Sequence, residues 1–402
     1  MKGKRKFSIA LLLLPLLLLA SCFKDDNFEK STGSTESITP VSRVKTEETR
    51  HVLVRVSAGY NSLSGYLTED LEDLSAGMLP QGKNRQADVL VVLSRLPKNG
   101  FSTTECPVLY QMYAGSDGKV VRDTLKKWNE GTKLVQEETL REALTLVREK
   151  FPAKGYGMVF SSHASGWIPK GYKRSIGQDK EGSVSYEMDI DEFARAIPYH
   201  LDYVLLDVCL SACVEVAWEL REKADILGFS ATEILAEGFV YTTLTQRLLQ
   251  PVPDPLAVCR DYFEQYDPQT GSATITVVDT REMDPLAQVC KELFERYRVA
   301  LKIMDPNAVQ RYFRPSATPD FVYLYDLFDM LEKAGITEAE KASLQEAMNR
   351  CILYFAKTPA FLGISLKNAH GLSMYLPSSG NETLDAFYRT RLQWNQATGL
   401  IK

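Results

Sequence analysis

Apolar and polar positions alternate along this chain in blocks whose period changes from strand-like to helical and back. His51 to Val56 (HVLVRV) and Ala87 to Leu93 (ADVLVVL) are short β-branched runs that predict strands. Leucines at helical spacing over Glu137 to Lys150 predict a helix, which Pro152 ends. Gly157 to Ser161 (GMVFS) predicts a short buried strand, and Asp189 to Ile197 (DIDEFARAI) an amphipathic helix. Tyr203 to Val208 (YVLLDV) reads as another buried strand, followed by a helix over Ala212 to Lys223 and a strand over Ile226 to Ser230. Near-continuous apolar strands separated by helices predict an α/β fold, with a mostly parallel sheet covered on both faces. Beyond about Pro251 longer helices dominate, with strands at Ala273 to Asp279 and Gly371 to Leu376. That stretch, 251–402, is either an elaboration of the same sheet or a smaller second unit.

The N-terminal pattern is different. Lys2, Lys4, Arg5 and Lys6 precede an apolar run from Phe7 to Ala20, then Ser21 and Cys22. The run is too short and too one-sidedly flanked for a spanning helix, so it reads as a secretory signal. Leu19-Ala20-Ser21-Cys22 resembles a bacterial lipoprotein box, which implies removal of residues 1–21 and a lipid on Cys22. The plain alternative is an ordinary signal peptide with an incidental cysteine. The following FKDDNFE resembles the acidic export tag of surface-displayed lipoproteins. Residues 22–48, rich in Ser, Thr, Glu and Lys, read as a flexible tether, leaving 49–402 as the folded domain with its core at about 49–250. These features predict an outer-membrane lipoprotein facing the periplasm or the cell surface, held to the membrane through Cys22.

Composition narrows the chemistry. With 402 residues, 45% hydrophobic and 25% charged, the chain is an ordinary globular one. A net charge of -5 argues against nucleic acid as a partner, because phosphates need a basic face. Besides Cys22 there are Cys106, Cys209, Cys213, Cys259, Cys290 and Cys351, scattered through a chain large enough to need no disulfide scaffold. Cys209 and Cys213 are spaced CxxxC, which is neither the CxxC redox spacing nor half of a standard zinc site.

In an open α/β sheet the ligand crevice lies beyond the carboxyl ends of the strands. His163 closes the run GMVFSSH and Cys209 closes YVLLDVC, so adjacent parallel strands could bring an imidazole and a thiol to one edge. A cysteine just ahead of a helix faces its N-terminus, where backbone N–H groups favour the thiolate. A nearby histidine could protonate a leaving amine, and the N–H groups of Ala164 and Cys209 could hold an oxyanion. Cys213, a turn inside the predicted helix with Val214, Ala217 and Trp218, reads as a packed apolar residue.

Two blocks carry a resemblance. SSHASGW (Ser161 to Trp167) and DVCLSACVEVAWEL (Asp207 to Leu220) resemble the signature blocks of the clostripain family of cysteine peptidases, usually HGSGW and DACLM followed by VEVAYEL. VSAGYNSL (Val56 to Leu63), EKFPAKGYGMVF, SATEILAEGFVY (Ser230 to Tyr241) and GLSMYLP (Gly371 to Pro377) are similar to further family blocks, so the likeness covers nearly everything after the tether. It implies a caspase-like α/β/α sandwich and hydrolysis of peptide or protein substrates after Arg or Lys. In that reading Cys209 is the nucleophile, His163 its proton partner, and Asp207 the acid that meets a basic P1 side chain. Read without the resemblance, Asp207 caps the following helix or pairs internally.

Relatives often cut themselves between the two blocks. Here PKGYKRSIGQDKEGS offers Lys173, Arg174 and Lys180 in a polar segment that otherwise reads as a solvated loop. Some relatives use calcium, but no acidic loop has a recognisable calcium spacing, and no cofactor or metal is expected. His370 precedes Gly371, and HG is the family's catalytic dipeptide; it follows the cysteine, however, at the start of a predicted late strand. His51 and His200 each lead into a strand and read as structural. Two departures stand out: Ala164 replaces the family's glycine and Val208 its alanine. They leave open a catalytically impaired relative acting as a binding protein, and the cysteine pair leaves open a thiol–disulfide protein.

Overall fold

A computed structural model of the chain describes residues 50–83, 88–98, 105–172, 175–266, 271–314 and 323–402, all within the unit Thr46–Lys402. Among the described residues nine strands form one sheet: β1 (His51–Ala58), β2 (Val89–Arg95), β3 (Val108–Ala114), β4 (Val120–Lys127), β5 (Gly155–Ser161), β8 (Leu201–Asp207), β9 (Ala224–Phe229), β10 (Thr274–Asp279) and β12 (Ile352–Lys357). Three short pairs stand apart: β6 (Ile176–Glu181) with β7 (Val184–Met188), β11 (Leu324–Asp326) with β15 (Ser373–Tyr375), and β13 (Ala360–Phe361) with β14 (Ile364–Ser365).

The order across the sheet is β12-β10-β9-β8-β5-β1-β2-β3-β4. Its middle, from β9 to β2, is parallel, while both flanks are antiparallel. The expected parallel sheet is therefore the centre of a wider mixed one. Strand β4 (VVRDTLKK) escapes a search for apolar runs because it has no buried residue. On the other side β10 and β12 extend the same sheet, so the strand predicted at Ala273 to Asp279 elaborates it.

The helices used below are α1 (Ser64–Ala76), α2 (Glu137–Lys150), α3 (Ile190–Ala196), α4 (Val214–Leu220) and α5 (Tyr241–Leu248). Strand alternation sends Val52, Val54 and Val56 into a core shared with Leu140, Phe193 and Val216 of α2, α3 and α4. Leu53 faces the opposite core, with Leu67 and Leu71 of α1 and Leu244 and Leu248 of α5. Burying each such side chain stabilises the fold by about 1.5–3 kcal/mol. Helix α2 spans the residues its leucine spacing predicts; Glu137 and Glu138 sit in its first turn, and Arg148 and Lys150 in its last. A capping box between Asp189 and Glu192 starts α3.

Helix α4 is shorter than its sequence pattern. It starts at Val214 and ends at Leu220, because a turn closed by Lys223 N–H on Leu220 O leads the chain straight into β9. Every residue of α4 is buried, including Glu215 and Glu219. Glu215 Oε1 accepts from Tyr375 N–H at 2.9 Å and from the Tyr388 hydroxyl at 2.8 Å. Glu219 Oε1 accepts from Gln393 N–H at 2.6 Å. Burial pushes both carboxyls up to about 7, against these hydrogen bonds, which pull the other way.

This arrangement fixes a sign for the pH dependence of stability. Protonated Glu215 and Glu219 suit the core, so their contribution is complete below about 4.5, the ordinary glutamate value, and is lost as pH rises through about 7. Thermal unfolding followed from pH 4.5 to 8 is expected to show this decline. Glu215→Gln, which mimics the protonated acid, is expected to flatten it, with a gain of about 2–4 °C over the native chain at the alkaline end. Equal slopes in the two proteins would contradict this assignment.

Candidate active site

Strands β1, β5 and β8 are neighbours and run parallel, so the segments that leave their carboxyl ends emerge along one edge. Ser161 of β5 is paired with Asp207 of β8. His163 and Cys209 each lie two residues beyond that matched pair. The segments carrying them also abut. Gly166 has φ +65°, and a Cβ built there would lie 2.7 Å from Leu210 O and 3.3 Å from Cys213 Sγ. Glycine alone permits that approach.

The turn after β8 is strained. Leu210 has φ +57° although it is a buried, branched residue. A left-handed conformation of this kind costs about 1–2 kcal/mol. It is held by Leu210 N–H on Thr232 O and Ala212 N–H on Ser230 O, both at 2.8 Å. The effect on exposure is specific: from Tyr203 to Leu220, Cys209 is the one residue that is not buried. Its Sγ lies 3.8 Å from Ile234 O.

His163 is nearly enclosed, at 8% exposure. Its Nε2 lies 2.9 Å from the hydroxyl of Ser62, in the segment joining β1 to α1. Asn61 fixes that segment: its amide donates to Ala58 O at 3.0 Å and to Gln178 O at 2.7 Å, and its Oδ1 accepts from Leu63 N–H at 2.8 Å. Past His163 the chain bridges to Ile176 through Gly177 N–H on His163 O and Ser165 N–H on Ser175 O. In such a pair the intervening residue turns its own N–H away from the partner strand, so the Ala164 N–H faces the opposite side. The methyl of Ala164 and the side chain of Val208 are both buried in the main core. Neither departure from the family pattern therefore crowds the open edge.

Asp207 is 7% exposed and sits on a polar network inside the sheet face covered by α1 and α5. Its Oδ2 accepts from the Ser161 hydroxyl at 2.7 Å and from the Tyr241 hydroxyl at 2.6 Å. Arg55, fully buried on β1, donates through Nη1 to Ser161 Oγ at 2.6 Å and through Nη2 to Asp70 Oδ2 at 3.4 Å. Burial raises the Asp70 carboxyl well above its usual range, with Arg55 opposing the rise. Gly238, at φ +58°, passes over the carboxylate; a Cβ there would lie 2.7 Å from Asp207 Oδ2.

Several expectations need correction. Cys209 does not abut the N-terminus of α4, because the turn through Leu210, Ser211 and Ala212 intervenes and Cys213 occupies the N-cap. Cys213 is thus at the helix start, not a turn inside it. It is wholly buried, and burial followed by the Glu215 charge pushes its thiol up. Cys213 forms no disulfide and has no exposure for exchange. Asp207 is not a helix cap, and its internal pairing engages one oxygen. Lys180 lies in β6, paired with Ser185, and its N–H donates to Tyr60 O at 2.7 Å. It therefore belongs to a hairpin and not to an open loop. Lys173, Arg174 and Cys22 lie outside the described residues. His370 is held by Asp326, with Nδ1 at 2.9 Å from Oδ1.

Sequence reasoning missed Ser62, Arg55, Ser161, Tyr241 and Gly238. Strand alternation carried part of the signal, since residues 161 and 207 each stand two places before a singled-out residue. Among the described residues no group of three or more His, Cys, Asp or Glu side chains is arranged to hold a metal.

The family model described as the clostripain family matches residues 56–398. An inactive zymogen C11 protease from Parabacteroides distasonis superposes with a TM-score of 0.73 at 28% identity, covering 88% of this chain and 99% of that one. A secreted C11 cysteine protease from Bacteroides thetaiotaomicron, solved in complex with an irreversible peptide inhibitor, superposes with a TM-score of 0.73 at 23% identity, covering 87% and 98%. No curated protein matches the chain.

The close pass of Gly238 over Asp207 makes a direct prediction. Gly238→Ala places a methyl against the carboxylate in a backbone conformation that disfavours it, and is expected to lower unfolding free energy by about 1–3 kcal/mol. Chemical denaturation checks this, and a loss below about 0.3 kcal/mol would contradict it.

Proposed function

Because the chain belongs to the clostripain family of cysteine peptidases, we propose that it is an endopeptidase cleaving after Arg or Lys, with Cys209 as nucleophile and His163 as proton carrier. The single observation that carries this reading is the matched register of β5 and β8, which supports His163 and Cys209 acting at one edge. Ser62 engages Nε2 of His163, and in this reading Nδ1 is the nitrogen that exchanges protons with thiol and substrate. Ser62 acts as the positioning residue of the pair.

The Cys209 thiol passes its proton to His163 as sulfur attacks the scissile carbonyl. The oxyanion is met by the N–H groups of Ala164 and Cys209. Collapse of the adduct breaks the C–N bond, and His163 returns the proton to the leaving amine. Water, deprotonated by His163, then attacks the thioester and releases the acid and the thiol. Asp207 supplies the negative charge that selects a basic P1 side chain, because an uncharged one would leave a buried carboxylate without its partner.

The binding-only alternative gains no support from Ala164 or Val208, whose side chains are buried away from the edge. Lys173 and Arg174 are the proposed positions of a self-inflicted cut, whereas the strand pairing of Lys180 disfavours it. The lipid on Cys22 and placement at the outer membrane complete the proposal.

Incubation of the protein, after any cut between His163 and Cys209, with an arginyl acyloxymethyl ketone is expected to give one adduct on Cys209 by mass spectrometry. A folded protein without that adduct would overturn the assignment. His163→Ala is expected to lower kcat/KM by about 10²–10⁴-fold. Loss of one orienting hydrogen bond in Ser62→Ala is expected to lower kcat by about 2- to 10-fold and to displace the pH–rate profile. A native profile in that variant would remove Ser62 from the mechanism.

A further inference from the structure

Both hydrogen bonds to Asp207 fall on Oδ2. Oδ1 accepts none from the described residues, and it is not among the fully enclosed unpaired polar atoms, so it keeps contact with solvent. We propose that Arg55, Ser161 and Tyr241 are positioning residues that present Asp207 to the substrate through Oδ1 alone, and that the site in consequence takes Lys and Arg at P1 to comparable extents. This rests on the reading of Asp207 as the P1-binding acid.

A count of hydrogens supports it. Arginine only donates, and Arg55 Nη1 gives its hydrogens to Ser161 Oγ at 2.6 Å and to Val56 O at 2.9 Å. The one hydrogen of Ser161 is thereby left for Asp207 at 2.7 Å, and that of Tyr241 reaches the same oxygen at 2.6 Å. The two hydroxyl oxygens lie 2.7 Å apart, closing a triangle on Oδ2. An oxygen that already accepts twice has little left for a third donor. Arg55 lies 4.4 Å from the Tyr241 ring centroid, which fixes the hydroxyl from beneath. Arg55, Ser161 and Tyr241 are each at most 1% exposed, and they stand on β1, β5 and α5, so the triangle is rigid.

The consequence follows from how the two cations bind. Guanidinium gains over ammonium where it can place two parallel N–H groups on both oxygens of a carboxylate. Facing one oxygen, it makes a single charge-assisted bond, as an ammonium does. The site would then read positive charge and not the planar fork.

Kinetics on two peptides that differ only in Arg or Lys at P1 test this with the full-length protein. The kcat/KM values are expected to fall within tenfold of each other, and a larger preference for Arg would overturn the single-oxygen proposal while leaving the basic-P1 reading intact. Failure to cut either peptide, with a peptide of neutral P1 cut, would instead overturn the reading beneath it. Tyr241→Phe loosens Oδ2 and is expected to raise KM for both basic peptides by about 3- to 10-fold, with a smaller change in kcat. A change confined to kcat would overturn the positioning role. The native Arg-to-Lys ratio decides the matter even should that variant fail to fold.

Discussion

The pairing of Ser161 with Asp207 across β5 and β8 is the constraint on which the rest of the site depends. Parallel partners project to the same face, so this one register puts a hydroxyl against a carboxylate inside the sheet. It also sends the two following segments out of the sheet in step. A slip of one residue would turn Asp207 to the other face and separate the segments that Gly166 lets touch. The register is fixed by what lies on either side: Met158, Phe160, Val204 and Leu206 face one core, and Val159, Tyr203 and Leu205 face the other.

Much of this was legible in the sequence because it depends on period. Buried parallel strands need apolar side chains on both faces, so HVLVRV, GMVFS and YVLLDV announce themselves, and α2 follows its leucines. The edge strands β4 and β12 did not, because neither has a buried residue. In the sequence the end of the turn after β8 reads as the start of a helix, because Ala212 and Cys213 are apolar and small. The backbone of Ala212 in fact bonds to Ser230 and Ser373, which are distant in the chain.

The site was legible by contrast in its charged and sulfur-bearing residues, and not in its support. His163, Cys209 and Asp207 stand at strand ends in blocks with a family likeness. Arg55 sits in the middle of a strand recognised by its apolar residues alone, yet it is fully buried. Its partners Asp70, Ser161 and Tyr241 come from separate elements, and no local pattern joins them. A buried arginine is tolerated only where acceptors meet it, so the network and the arginine explain each other. Ala164 and Val208 teach the converse: conspicuous in the sequence, they are absorbed by the core.

The strand order has one more consequence. The segment between β5 and β6 separates two halves of the chain, and the last strand of the first half is hydrogen-bonded to β8 of the second. Backbone scission there would leave both fragments zipped through the middle of the sheet and wedged together by shared cores on its two sides. The nicked molecule would travel as one particle through a sizing column, and its two pieces would come apart only in denaturant.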